Sequence, residues 1–183
     1  MAETQNKQAI CTRPIVLIGM MGAGKSSLGL RLAEAVNLPF FDADAEIEKA
    51  AAMSIAEIFE QHGEAAFRDG ERRVIKRLLA AAPMVLALGG GAFMNDETRA
   101  LVQEKALSIW LDVPLDELVR RVKKKPDKRP LLKGQNVEAK LSELMQIRAP
   151  VYQQAALKVD VSGGTHEDAI ARLVSAIEAH YAA

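Results

Sequence analysis

Apolar residues in this chain fall into two patterns: short uninterrupted runs, and longer stretches where they recur every three or four positions. The runs at residues 15–18, 84–88 and 107–111 are rich in Val, Ile and Leu and read as strands buried on both faces. Phe40-Phe41 begins a shorter strand after the break at Asn37-Leu38-Pro39, and residues 157–161 form a last one. Helical spacing fills the intervals. Leu28, Leu32, Ala35 and Val36 form one inner face, and a helix is expected over 45–52. Ile55, Ile58 and Phe59 follow the capping box Ser54-Ile55-Ala56-Glu57, with Gly63 as a C-cap. Residues 64–82 carry Phe67, Val74, Leu78 and Leu79 inward. Leu101 and Val102 follow an Asn95 cap, and Leu115, Leu118 and Val122 follow Pro114. A helix from Val137 presents Leu141, Leu144 and Ile147, and Pro150 is expected to kink or end it. Thr165 and Asp168 cap a final helix lined by Ile170, Leu173, Val174 and Ile177. Five strands alternating with helices predict a three-layer α/β/α sandwich around a five-stranded parallel sheet with right-handed crossovers. The additional helix between the second and third strands suggests a small insertion that covers a substrate.

Composition narrows the partners. The 183 residues suffice for one domain with a real core. Lys plus Arg and Asp plus Glu both number 24, so no overall charge favours nucleic acid or an anionic membrane. No apolar run approaches membrane-span length, and the polar start over residues 1–8 lacks a signal region and reads as a frayed tail reaching to about residue 12. The single cysteine, Cys11, excludes an internal disulfide and fits a reducing cytoplasm; it reads as small apolar filler rather than a catalytic thiol. His62, His166 and His180 share no metal spacing and are expected at the surface.

The candidate chemistry starts at Gly19-Met20-Met21-Gly22-Ala23-Gly24-Lys25-Ser26, which matches the phosphate-binding loop G-x-x-x-x-G-K-[ST] and sits in the strand–loop–helix context it requires. Backbone N–H groups and a helix N-terminus can wrap phosphate there. Lys25 can reach the β- and γ-phosphates, and the Ser26 hydroxyl can bind Mg²⁺. The chain is therefore expected to bind a nucleoside triphosphate. Four further features carry candidate chemistry. Asp42 and Asp44 close the second strand on one face of an extended backbone, either as ligand-facing carboxylates or as caps of the next helix. Arg68 and Glu71 lie one helical turn apart, a spacing that by itself gives only a weak surface pair. Gly89-Gly90-Gly91 ends the third strand, where glycine permits close approach of backbone to a ligand. Lys123-Lys124-Lys125-Pro126-Asp127-Lys128-Arg129-Pro130 reads as a solvated loop or, in a phosphoryl-transfer protein, a lid bringing cations over the phosphate.

Taken in order, these landmarks resemble the shikimate kinase family over nearly the whole chain, from about residue 15 to 174. The resemblance is carried by the loop Gly19 to Ser26, Asp42-x-Asp44, Phe67-Arg68-x-x-Glu71, the triplet Gly89-Gly90-Gly91, Arg129-Pro130-Leu131-Leu132 and Arg148-x-Pro150-x-Tyr152. It departs at Ser27, where threonine is common, and at the family's adenine-contacting arginine, which does not align cleanly with Arg120, Arg121 or Lys123. The resemblance implies a nucleoside-monophosphate-kinase-like P-loop NTPase with strand order 2-3-1-4-5: a single kinase domain with an insertion at about 43–72 and a lid at about 123–134. It implies transfer of the ATP γ-phosphoryl to the 3-hydroxyl of shikimate in aromatic amino-acid biosynthesis, by a cytoplasmic monomer using Mg²⁺.

The residue types suit such an acceptor. Arg68 and Arg148 can grip one carboxylate, and Asp44 can orient the attacking hydroxyl and take its proton. Gly89, Gly90 and Gly91 can bring backbone N–H groups to the ring, and Glu71 can hold Arg68. Gly22, Ala23, Gly24, Lys25, Ser26, Ser27 and Arg129 are expected at the nucleotide. Lys25 and Arg129 are expected to stabilise the transferring phosphoryl, and Ser26 and Asp42 to hold Mg²⁺, directly and through its hydration shell. A gluconate or nucleoside-monophosphate kinase of the same fold is the alternative enzyme. A nucleotide-binding module without turnover is the non-enzymatic one; it would be expected to lack Lys25, Asp44 or Arg129, and the chain has all three.

Overall fold

The continuous apolar runs become the middle of a parallel sheet. Its strands are β1 (Ile15–Ile18), β2 (Phe40–Asp42), β3 (Val85–Ala87), β4 (Leu107–Asp112) and β5 (Leu157–Asp160), in the order β2-β3-β1-β4-β5. All four pairings are parallel, with Ile15 opposite both Val85 and Leu107 in the central register. Every residue of β1 and β3 is buried, whereas the edge strands β2 and β5 keep partly or fully exposed positions. This is the distribution expected when helices cover both faces of a sheet. The computed structural model describes residues 12–124 and 136–182; the tail, Cys11, and the expected lid apart from Lys123 and Lys124 lie outside them.

Seven helices surround the sheet among the described residues: α1 (Lys25–Val36), α2 (Ala43–Ala51), α3 (Ile55–Leu79), α4 (Asp96–Lys105), α5 (Leu115–Lys123), α6 (Val137–Tyr152) and α7 (His166–Ala182). Helices α1 and α7 pack together on one face, while the pairs α3 with α4 and α5 with α6 fill the other, as right-handed crossovers in this strand order require. Helix α1 lies so close to the sheet that a Cβ at Gly29 would meet the Phe40 ring at 2.5 Å.

Several local expectations change. Ala33 rather than Ala35 is buried on α1. Helix α2 starts directly at the end of β2, because Asp42 caps it by accepting from the Asp44 N–H at 3.1 Å. Asp42 and Asp44 therefore do not share one extended face; Asp44 stands in the first turn of a helix. Gly63 does interrupt the helix, as the C-cap reading implied, but a second helical segment follows it at once. The glycine bends α3 with φ 78° and ψ 174°, a conformation open to glycine, so the capped segment from Ile55 and the segment after Gly63 run on as a kinked pair. Pro150 does not end α6. It costs the bond to the Gln146 carbonyl only two residues before the helix stops. The inward face of α6 keeps Leu141 and Leu144 of the expected set but not Ile147. Leu141 and Tyr152 are buried with Met145 and Ala149 half-buried between them, and Ile147 points outward at 56% exposure. A helix anchored by Tyr152 turns that stripe, spaced by four, four and three, to the core.

Candidate active site

The site is assembled where loops leave the C-terminal ends of β1, β2 and β3, the end at which open parallel sheets bind ligands. The loop after β1 turns through left-handed Gly22 (φ 87°) and Gly24 (φ 93°) into α1. Lys25 is the first residue of that helix, and its Nζ donates to the carbonyls of Gly19 (2.9 Å) and Met20 (3.1 Å), which holds the ammonium over the loop. Ser26 Oγ donates to Asp42 Oδ2 at 2.6 Å. One carboxylate oxygen of Asp42 thus caps α2, while the other faces the phosphate loop. Among the described residues no group of three or more His, Cys, Asp or Glu side chains gathers for a metal. The adjacent hydroxyl and carboxylate oxygens of Ser26 and Asp42 do fit a magnesium ion, which takes few protein oxygens and keeps much of its water.

Around the glycine triplet the acceptor-side residues converge from distant parts of the chain. A Cβ on Gly89 would lie 2.7 Å from Asp44 Oδ1, one on Gly90 2.8 Å from Arg148 Nη1, and one on Gly91 3.1 Å from Arg68 Nη2. No left-handed φ occurs at these three positions, so space rather than backbone freedom demands glycine. Arg68 Nη1 donates to Glu71 Oε2 at 2.9 Å, and Glu71 is buried. The pair is therefore not the weak surface contact that spacing alone describes, and its carboxylate holds the guanidinium against Gly91.

Charge is concentrated here. Burial, then the neighbouring carboxylates Asp42 and Glu71, push Asp44 up to about 6, with Lys25 pulling the other way. Burial also raises Glu71, opposed by its bond to Arg68. Tyr152 is raised by burial and drawn partly back by Arg148.

Three neighbours of the site are named in the sequence without a role there. Phe59, expected in the core, is 38% exposed and stacks on Phe67 with ring centroids 4.7 Å apart, leaving an apolar patch beside Arg68, which itself lies over Phe67. Arg121 lies against the phosphate loop, its Nη1 donating to the carbonyls of Gly22 (3.4 Å) and Ala23 (3.3 Å) while Nη2 bonds Glu117 and the Val161 carbonyl. It is one of three basic residues of α5, with Arg120 and Lys123, among which the sequence left the base-contacting residue open. Tyr152 ends its motif with a hydroxyl bonded to backbone of the site. Arg129 lies outside the described residues. The three histidines are exposed, as expected.

The family model for shikimate kinase matches residues 21–178. The chain belongs to the shikimate kinase family. It is 51% identical over 175 residues to the shikimate kinase of Rhodopseudomonas palustris, covering 96% of this chain and 86% of that one. Among solved structures it resembles shikimate kinase from Acinetobacter baumannii in complex with shikimate, with TM-score 0.86, 34% identity, and coverage of 92% of this chain and 94% of that one. A gluconokinase from Sinorhizobium meliloti matches with TM-score 0.56 and 18% identity over 93% of this chain and 96% of that one, a likeness that shows the fold alone. Fold, strand order and membership of the shikimate kinase family thus agree with the expectations raised by the loop, the triplet and the arginines.

Proposed function

We propose that the chain transfers the γ-phosphoryl group of ATP to the 3-hydroxyl of shikimate, giving shikimate 3-phosphate and ADP. The observation that carries this reading is the convergence of Asp44, Arg148 and Arg68 on the three consecutive glycines, next to a complete phosphate loop. Two guanidiniums with one carboxylate beside them suit an acceptor with one negative group and several hydroxyls. The Phe59–Phe67 patch gives its ring an apolar wall. A gluconate acceptor shares the carboxylate but has no ring for that wall, and family membership favours shikimate over it.

Residue by residue, Gly22, Ala23, Gly24, Lys25, Ser26 and Ser27 hold the phosphates. Arg121, which lies against Gly22 and Ala23, would meet the base, and Arg129 is proposed from its motif to reach the phosphoryl. Arg68 and Arg148 take the carboxylate. Asp44 orients the 3-hydroxyl and accepts its proton as the oxygen attacks phosphorus and the bond to the ADP oxygen breaks. Ser26 and Asp42 would hold Mg²⁺, which supplies charge neutralisation between the phosphates. In an in-line transfer with a loose transition state, positioning and charge do most of the work and the base does little. The proposal includes an insertion over about 43–72, a lid over about 123–134, and a cytoplasmic, monomeric protein; among the described residues no helix is long and apolar enough to cross a membrane.

The test is ADP release from Mg-ATP with shikimate, with gluconate, and with a nucleoside monophosphate. Release with shikimate alone is expected. Equal release with gluconate would replace the acceptor, and silence with all three despite ATP binding would replace the enzyme with a nucleotide-binding module.

A further inference from the structure

Tyr152 closes α6 at 1% exposure and is the largest fully buried side chain among the described residues. Its ring packs against Trp110 with centroids 6.0 Å apart, which a phenylalanine would do equally well. The oxygen needs a separate reason, because a buried hydroxyl costs free energy unless it is bonded. It donates to the Gly90 carbonyl at 2.5 Å and lies 3.5 Å from the Gly19 carbonyl. The Arg148 guanidinium, one turn earlier on the same helix, packs on that same Gly90 and draws the phenol's pKa partly down. Gly19 in turn accepts from Lys25. One phenol therefore bonds the first residue of the phosphate loop and the middle of the glycine triplet, on which the Arg148 guanidinium is packed. These are the parts whose relative placement decides how far an acceptor stands from a donor.

We infer that Tyr152 is a positioning residue for the phosphoryl transfer, its hydroxyl fixing the Arg148 guanidinium and the Gly90 backbone against the phosphate loop. The inference rests on the assignment of Arg148 to the acceptor carboxylate made above. Tyr152→Phe keeps the ring and removes only the oxygen. It should raise the KM for shikimate about 5-fold and lower kcat about 10-fold, within what a small misplacement costs, and leave the ATP dissociation constant within about 2-fold. In an Arg148→Ala background the same substitution should add less than about 2-fold to the shikimate KM, since the group it orients is gone. A merely structural tyrosine would lower the melting temperature and leave kcat and both constants unchanged in the cold, or weaken both ligands alike; either result overturns the inference. Full, independent multiplication of the two effects overturns it as well.

A second measurement does not require the deletion. The chain has two tyrosines, so 3-fluorotyrosine incorporated with Tyr181→Phe leaves one fluorine resonance. Shikimate should shift that resonance, and should not shift it after Arg148→Ala. A resonance unmoved at saturating shikimate overturns the inference even if Tyr152→Phe fails to fold. Normal wild-type turnover beside an unaffected variant removes only this inference, whereas a wild type inactive with shikimate removes the proposed reaction and with it the ground for Tyr152.

Discussion

Asp44 is held at a cost that pH reveals. Its pKa of about 6 stands above the ordinary 3.8, so between those values the folded protein keeps a proton that the unfolded chain has released. The stability contributed is therefore present at low pH and lost as pH rises through about 6. Asp44→Asn removes the buried charge, and should raise the melting temperature at pH 8 by on the order of 5 °C, a gap that narrows below pH 5. The same variant should lose at least about 100-fold in turnover with ATP affinity near wild type, and the wild-type kcat/KM for shikimate should fall below about pH 6. Equal melting temperatures at pH 8, read by calorimetry, would remove the strain assigned to this carboxylate. Gly89 gives an independent view of the same atom. In Gly89→Ala the new methyl meets a mobile carboxylate rather than backbone, so the melting temperature should move by less than about 2 °C while turnover falls about 10-fold or more as Asp44 is displaced. Lost stability with intact turnover would make the triplet a packing feature.

At the scale of the element, the bend at Gly63 separates the part of α3 that carries Phe59 from the part that carries Phe67, Arg68 and Glu71. A Cβ there would meet nothing within 4 Å, so the barrier to replacing this glycine lies in its φ and ψ alone. Gly63→Ala should cost about 1–3 kcal/mol, seen as a denaturation midpoint moved down by that amount, and should weaken shikimate more than ATP by disturbing the Phe59–Phe67 contact. A neutral substitution would mean the bend is a soft one. Helix α6 marks where pattern reading stops. Capping boxes at Ser54 and Thr165, the Asn95 cap and the Asp42 cap were legible because each needs a few neighbouring residues. The passage of α6 through Pro150 and the outward turn of Ile147 depend on contacts with distant elements, which local spacing does not contain, whereas the break at Gly63 was legible from the glycine itself. The meeting of Arg148 with Gly90, 58 positions apart by subtraction, became legible only through a family motif.

In the whole molecule the site divides by element. The nucleotide side is built from the loop after β1 and the start of α1, the acceptor side from α2, α3, α6 and the end of β3. The sequence displayed the first half as a contiguous motif; the second half is scattered over three helices and a turn, and the fold has to gather it. A ligand that binds only the folded state stabilises by mass action, about 2.7 kcal/mol at a hundred times its dissociation constant. For a chain of this length that corresponds to roughly 5–10 °C. ADP with Mg²⁺ and shikimate should each produce such a shift alone in a thermal melt, because neither half needs the other to exist. Arg148→Ala should abolish the shikimate shift and keep that of ADP, and Lys25→Ala should do the reverse. Chelating Mg²⁺ should shrink the ADP shift and leave the shikimate shift intact, since Ser26 and Asp42 belong to the nucleotide half. Were Arg148→Ala to abolish both shifts, the two halves would not be separable, and the carboxylate grip would have to be redrawn as part of the phosphate loop's own support.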